Sequence, residues 1–115
     1  MNDQKMRGAI GLCAKAGKLA CGDFAVKRSI QMGTAQLVLI DERAADGTRK
    51  RLQYLCREFE VPCRELPQSV EAAFYAGKTN CLLFAVQDEN LAKLICNVYG
   101  SEKTTNGSAE EGVQQ

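Results

Sequence analysis

Met6, Ala9, Ile10, Cys13 and Ala14 fall three and four residues apart, the spacing that gathers side chains on one face of a helix. Asp3 stands where an N-cap belongs, and Gly17 where such a helix ends. A short apolar stretch, Leu19-Ala20-Cys21, runs into Gly22-Asp23. Asp23 is the expected N-cap of a second helix that buries Val26 and Ile30 and closes at Gly33. The pattern then changes. Leu37-Val38-Leu39-Ile40 is a continuous apolar run between polar flanks, which suits a central strand covered on both faces.

Leu52, Leu55, Cys56 and Phe59 form the clearest helical stripe, with Asp46 or Thr48 as its cap. Val61-Pro62-Cys63 opens a short strand, placed near a sheet edge because proline has no N–H to donate. A helix is predicted from about Ser69 to Ala76, ending at Gly77, and Cys81 to Val86 reads as another fully apolar strand. Asp88 or Asn90 opens a last helix, with Leu91, Leu94, Ile95 and Val98 facing inward. Helices and strands alternate from one end to the other, which predicts an α/β fold: a sheet with helices on both sides. From Gly100 onward there is nothing to bury. The expected organisation is one domain over residues 1–99 and a disordered tail over residues 100–115.

Composition narrows the setting. At 115 residues the chain is long enough for one core and too short for two. No apolar run approaches the roughly 20 residues of a membrane span, and the N-terminus lacks the charged-then-apolar layout of a secretion signal. A cytoplasmic location, with no membrane partner, is therefore expected. Six cysteines would suit a disulfide framework in a secreted chain, but cytoplasmic thiols stay reduced. No CxxC pair and no histidine occur, so a zinc site would need four thiolates converging from distant segments. The cysteines sit among apolar neighbours and read as small core hydrophobes. No metal or cofactor is expected.

The net charge of +1 hides an asymmetry. Ten Lys and Arg stand against four Asp and Glu between Lys5 and Arg51, whereas the last fifteen residues hold one Lys and three Glu. A basic first half favours a nucleic-acid partner. Catalytic motifs are missing. Without histidine the commonest general base is lost, Gly8 and Gly11 lack the third glycine of a dinucleotide fingerprint, and no phosphate-loop motif occurs. Asp41-Glu42 follow a buried strand, a place where acids hold a metal or a ribose. The plainer reading makes them two solvated acids opening a loop.

The basic residues are more informative. Gly22 precedes a helix N-terminus whose N–H groups suit phosphate, and glycine has no Cβ to hold a backbone away. Lys27 and Arg28 follow one turn later. Arg49-Lys50-Arg51 falls at the start of a helix, where the macrodipole favours acids, a local conflict of the kind that marks function. Four Phe, three Tyr and no Trp leave few platforms for stacked bases.

Gly17-Lys18-Leu19-Ala20-Cys21-Gly22-Asp23, then Val26-Lys27-Arg28 and Gly33 to Ile40, resemble the ribosomal-protein superfamily of L-seven-Ae and L-thirty-e, in its small bacterial YlxQ-like branch. Val61-Pro62, Gly77-Lys78 and Asp88 continue the match, which runs from Lys5 to Val98. The resemblance implies a three-layer α-β-α sandwich with a four-stranded mixed sheet. It also implies recognition of structured RNA, typically the kink-turn, a bulged helix with tandem G·A pairs. Kink-turn binders read those pairs with an Asn-Glu pair and a Lys three residues on. Here the matching positions hold Phe24, Ala25 and Arg28, so the base is kept in kind and both polar readers are replaced.

The resemblance also implies RNA contacts at Glu42-Arg43 and at Lys78-Thr79-Asn80, which match two further RNA-contacting segments of the family, so the expected RNA-binding set is Gly22, Asp23, Phe24, Lys27, Arg28, Glu42, Arg43, Lys78, Thr79 and Asn80. The expected partner is structured RNA, of ribosomal or translation-associated origin, bound by a monomeric protein that is not an enzyme and takes no small-molecule substrate. Two alternatives differ in class. One is a protein-interaction module on the same fold, motivated by Phe24 and the loss of the polar readers. The other is a metal-dependent switch or enzyme using Asp41 and Glu42.

Overall fold

The computed structural model describes residues 2–100. Five helices and four strands alternate: α1 (Asp3–Lys15), β1 (Leu19–Cys21), α2 (Asp23–Gln31), β2 (Leu37–Asp41), α3 (Asp46–Glu58), β3 (Cys63–Leu66), α4 (Ala72–Tyr75), β4 (Leu83–Val86) and α5 (Glu89–Gly100). A single 3-10 turn, Gln68–Val70, precedes α4. The strands lie in the order β1-β4-β2-β3, with β2 and β3 parallel and the other two pairings antiparallel. This is the expected mixed four-stranded sheet, with β3 at an edge. Of the tail expected from residue 100, Gly100 closes α5 and the rest lies outside the described residues.

Alternation along the two central strands builds two cores, because successive side chains of a strand point to opposite faces. Leu37 and Leu39 of β2, with Phe84 and Val86 of β4, meet Met6, Ile10 and Cys13 of α1 and Ile95 and Val98 of α5. Val38, Ile40, Leu83 and Ala85 point the other way, onto Val26 and Ile30 of α2 and Leu52 and Cys56 of α3. All five residues of β2 are buried, as a strand covered on both faces requires. Each Leu, Ile or Val taken fully from water contributes about 1.5–3 kcal/mol. The sheet is therefore the rigid base on which the loops at its ends are held.

Several local expectations change. Helix α1 is capped by Asn2, whose side chain accepts from the Lys5 N–H at 3.0 Å, and not by Asp3. The helix predicted over residues 69–76 breaks into the 3-10 turn and the four-residue α4, with Glu71 in the left-handed region at φ 57°. The cause is distant in sequence: Arg7 donates to the Val70 carbonyl at 3.1 Å and to the Ser69 carbonyl at 2.7 Å. Those carbonyls are engaged by a guanidinium from α1. In α5, Asp88 is the cap, accepting from the Leu91 N–H at 3.0 Å. Ala92, Ile95 and Val98 form its buried stripe, while Leu94 is 40% exposed and faces away from the core. Phe59 ends α3 as its C-cap and stands exposed.

Candidate nucleic-acid interface

Strand β1 runs directly into α2 through Gly22, which has φ 98° and ψ 163°. Its N–H extends the β1–β4 ladder by donating to the Leu83 carbonyl at 2.9 Å, and its own carbonyl accepts the first intrahelical bond, from Val26, at 2.9 Å. Gly22, and not Asp23, is thus the N-cap, and no side chain caps the helix. The N–H groups of Asp23, Phe24 and Ala25 precede that first bond and have no helical partner.

Helix α3 begins in the same way. Ala45 is its N-cap with no side-chain bond, in place of the expected Asp46 or Thr48, and its first intrahelical bond runs from Arg49 to Ala45. The two helices α1 and α5 carry side-chain caps on their N-termini, while α2 and α3 do not.

The two uncapped ends converge. A cavity of about 420 Å³ at one end of the sheet is lined by Gly22 and Asp23 from α2, by Ala44, Ala45 and Thr48 from the start of α3, and by Lys78, Thr79 and Asn80 from the loop before β4. That loop is held by left-handed residues at both ends, Gly77 at φ 75° and Asn80 at φ 53°. The Lys78 N–H donates to the Ala73 carbonyl at 2.8 Å, which closes α4 and leaves the lysine side chain outward and exposed. Uncapped N–H groups and the positive ends of two helix dipoles favour an anionic occupant.

Of the expected residues, Gly22, Asp23, Lys78, Thr79 and Asn80 therefore share one cleft. Phe24 and Arg28 do not line it. They flank a neighbouring hollow between α2 and the edge strand β1, together with Ala20 and Met32. Phe24 is 77% exposed, and Lys27 and Arg28 are exposed beside it, so α2 offers an open basic and aromatic face next to the cleft. Sequence reasoning missed Ala44, Ala45 and Thr48. The small residues and Asp46-Gly47 at the start of α3 were the available signal, obscured by assigning that helix a polar cap.

Asp41 is neither a solvated acid nor a free metal ligand. It is 1% exposed, and Arg43 reaches it with Nε at 3.0 Å and Nη2 at 2.9 Å, while the Arg43 N–H also donates to Oδ1 at 2.9 Å. Burial pushes the Asp41 carboxyl up, but the hydrogen bonds and charge of Arg43 outweigh it and hold the group below the usual carboxylate range. Much of the charge expected from Arg43 is thus neutralised, although its outer face still flanks a shallow hollow shared with Asn80. Glu42 is likewise engaged, accepting from the Gln68 N–H at 2.7 Å. Among the described residues no group of three or more metal-binding side chains comes together, and no helix is long and apolar enough to cross a membrane.

The basic triplet resolves into separate tasks. Arg49 bonds Glu65 at 2.8 Å and the carbonyls of Glu42 and Ala44 at 2.8 and 3.3 Å, fastening the turn after β2 onto α3. Arg51 pairs with Asp23 at 2.7 Å, linking α3 to the start of α2. Both partners are half exposed, so this pair contributes on the order of 0.2–1 kcal/mol. Lys50 remains exposed. The local conflict with the dipole is in large part structural, since the guanidiniums leave the helix end for acids and carbonyls elsewhere.

A mixed sheet between two helical layers, with two uncapped helix N-termini and a lysine loop around one cleft, defines a small α-β-α protein. The chain belongs to the ribosomal protein L7Ae/L30e/S12e/Gadd45 family, whose model matches residues 4–96. Within it the chain is YlxQ-like: it is 33% identical over 92 residues to the RNA-binding protein YlxQ of Enterococcus faecium, covering 80% of this chain and 88% of that one. It is 31% identical over 87 residues to the YlxQ of Bacillus subtilis, with 75% and 87% covered. Among solved structures, a protein of unknown function from Bacillus halodurans superposes with TM-score 0.70 at 25% identity, covering 83% of this chain and 99% of that one. A 15.5-kD RNA-binding protein of Giardia lamblia shares the fold, with TM-score 0.70 at 15% identity and 85% and 84% covered.

Proposed function

We propose that this protein is a stoichiometric binder of structured RNA, monomeric and associated with ribosomes or translation. The observation that carries the reading is the pairing of two uncapped helix N-termini across one cleft that also holds Lys78. Phosphate oxygens supply the acceptors those N–H groups lack. Gly22 lets the RNA backbone approach, Asp23 begins the helix that presents its N–H groups, and Thr79 and Asn80 close the far side. Lys27 and Arg28 follow the strand along α2, and Phe24 meets a base with its open face. Glu42 and Arg43 shape the turn between the two helix ends. The relatives named as RNA-binding proteins support the same ligand class. In this reading there is no catalytic step: Asp41 is held by Arg43, and the Asp23 carboxylate at the cleft is paired with Arg51.

Kink-turn preference is reduced here. Phe24 and Ala25 donate and accept nothing at a G·A edge, and each lost base contact removes about 1–3 kcal/mol of discrimination. Binding to a kink-turn RNA and to a plain duplex of equal length, across a salt series, tests the proposal. Preference for the bulged RNA supports shape-specific recognition, and equal affinities with a steep salt slope indicate phosphate-driven association. Absence of binding to either at low salt refutes it. The exposure of Phe24 and Met32 along α2 favours a protein-interaction module as the second reading in that case.

A further inference from the structure

Two thiols of the cleft wall have no part in the reading above. Cys21 is the last residue of β1 and pairs in register with Phe84, three residues beyond Cys81. The Gly22 N–H to Leu83 carbonyl bond, 2.9 Å, holds the two segments together at this point, and both cysteines line the cavity of about 420 Å³. The Cys81 thiol donates to the Leu83 carbonyl at 3.3 Å, the same oxygen that the Gly22 N–H reaches, which sets its sulfur beside the end of β1. Both cysteines are free. A second pair of neighbouring cysteines, Cys56 and Cys63, belongs to the core under α2 and α3 and lines no part of this cleft, whereas Cys81, although only 8% exposed, lines the cavity wall.

We infer that Cys21 and Cys81 form a site of reversible oxidation, closed into a disulfide by a small peroxide, and that its closure changes the cleft offered to RNA. Cys81 is the thiol that reacts first. The neighbouring Cys21 thiol, the backbone at Leu83 and Gly22 and the nearby Lys78 hold it below the usual thiol range against the effect of burial, which raises its thiolate fraction. The thiol first gives its proton to solvent; the thiolate attacks one oxygen of hydrogen peroxide, the O–O bond breaks, and the departing hydroxide takes up a proton from solvent to leave as water. The product is a sulfenic acid. The Cys21 sulfur then attacks Cys81, the S–O bond breaks, and the hydroxide leaves with the Cys21 proton as a second water. Two thiols lose two electrons and one peroxide gains them. A dithiol reverses the step by exchange.

The consequence follows from where the bond is made. The two sulfurs must approach to bonding distance, which draws the segment after Asn80 toward the end of β1. Lys78, Thr79 and Asn80 then change position relative to Gly22. This consequence rests on the RNA-binding reading, whereas the oxidation itself does not.

The test treats the full chain with hydrogen peroxide, blocks remaining thiols with N-ethylmaleimide, and maps the digested protein by mass spectrometry. RNA affinity is measured on the same sample before and after dithiothreitol. A Cys21–Cys81 linked peptide is expected, absent from Cys21→Ser and Cys81→Ser and removed by dithiothreitol. Affinity for the bulged RNA should fall about tenfold on oxidation, the scale of one lost contact. Absence of a linked peptide, or a cross-link confined to Cys56 and Cys63, overturns the proposal. A linked peptide with unchanged RNA affinity overturns its coupling to the cleft. A reduced protein that binds neither RNA refutes the RNA-binding reading and leaves the thiol result standing.

Discussion

Replacing Gly22 by alanine isolates the backbone that opens the cleft. With φ 98° and ψ 163°, Gly22 occupies a region that residues with a Cβ adopt at a cost of about 1–3 kcal/mol. A Cβ built there meets nothing within 4 Å, so no clash adds to or masks that cost. Gly8 supplies the control. It is exposed in the middle of α1, has no positive φ, and its added Cβ also meets open space. In a helix interior glycine is worse than alanine by roughly 0.5–1 kcal/mol. The same chemical change should therefore act in opposite directions at the two sites. At about 4–8 °C per kcal/mol for a domain of this size, Gly22→Ala should lower Tm by about 4–24 °C and Gly8→Ala should raise it by about 2–8 °C. Urea unfolding followed by circular dichroism checks both, with shifted midpoints and unchanged slopes if the native states are alike. A Gly22→Ala protein as stable as wild type would show that the β1–α2 junction does not need this backbone, and the argument for a glycine-built cleft would fall.

Further outcomes follow from individual contacts. Arg43→Ala should lower Tm at neutral pH by leaving the Asp41 carboxylate buried without its guanidinium. The sign with pH is set by the depressed carboxyl: its contribution is present above the unfolded pKa and lost as pH falls through the lower folded value. The gap between mutant and wild type should thus narrow from neutral pH toward pH ~3, below the usual aspartate value, and a gap that widens in acid would contradict the assignment. Lys78→Ala should weaken both RNAs alike and reduce the salt slope by about one unit, as read from affinities across a salt series. Phe24→Asn combined with Ala25→Glu places the two polar readers on an open helix face, and should raise kink-turn over duplex preference by tenfold or more, at about 1–3 kcal/mol per contact. An unchanged ratio would show that these positions do not meet base edges.

Much of the fold was legible in the chain because periodicity is a local property. The apolar run at Leu37–Ile40 announced a strand buried on both faces, and its alternate residues do feed two cores. Pro62 marked an edge strand, and β3 lies at the edge. Gly22 and Lys78 were legible as candidates because their chemistry suits phosphate wherever it sits. Contacts across the sheet were not legible. Arg7 breaks a predicted helix from 62 and 63 residues away, Arg43 turns inward onto Asp41, and the triplet at Arg49 to Arg51 disperses to separate partners. The sequence by itself determined most strands and helices, the segment from Ser69 to Ala76 excepted, and which residues carry charge. The tertiary structure alone decided that two uncapped helix ends and two thiols meet in one cleft, because strand order and crossover bring together residues about 20 to 60 positions apart, beyond the reach of any local pattern.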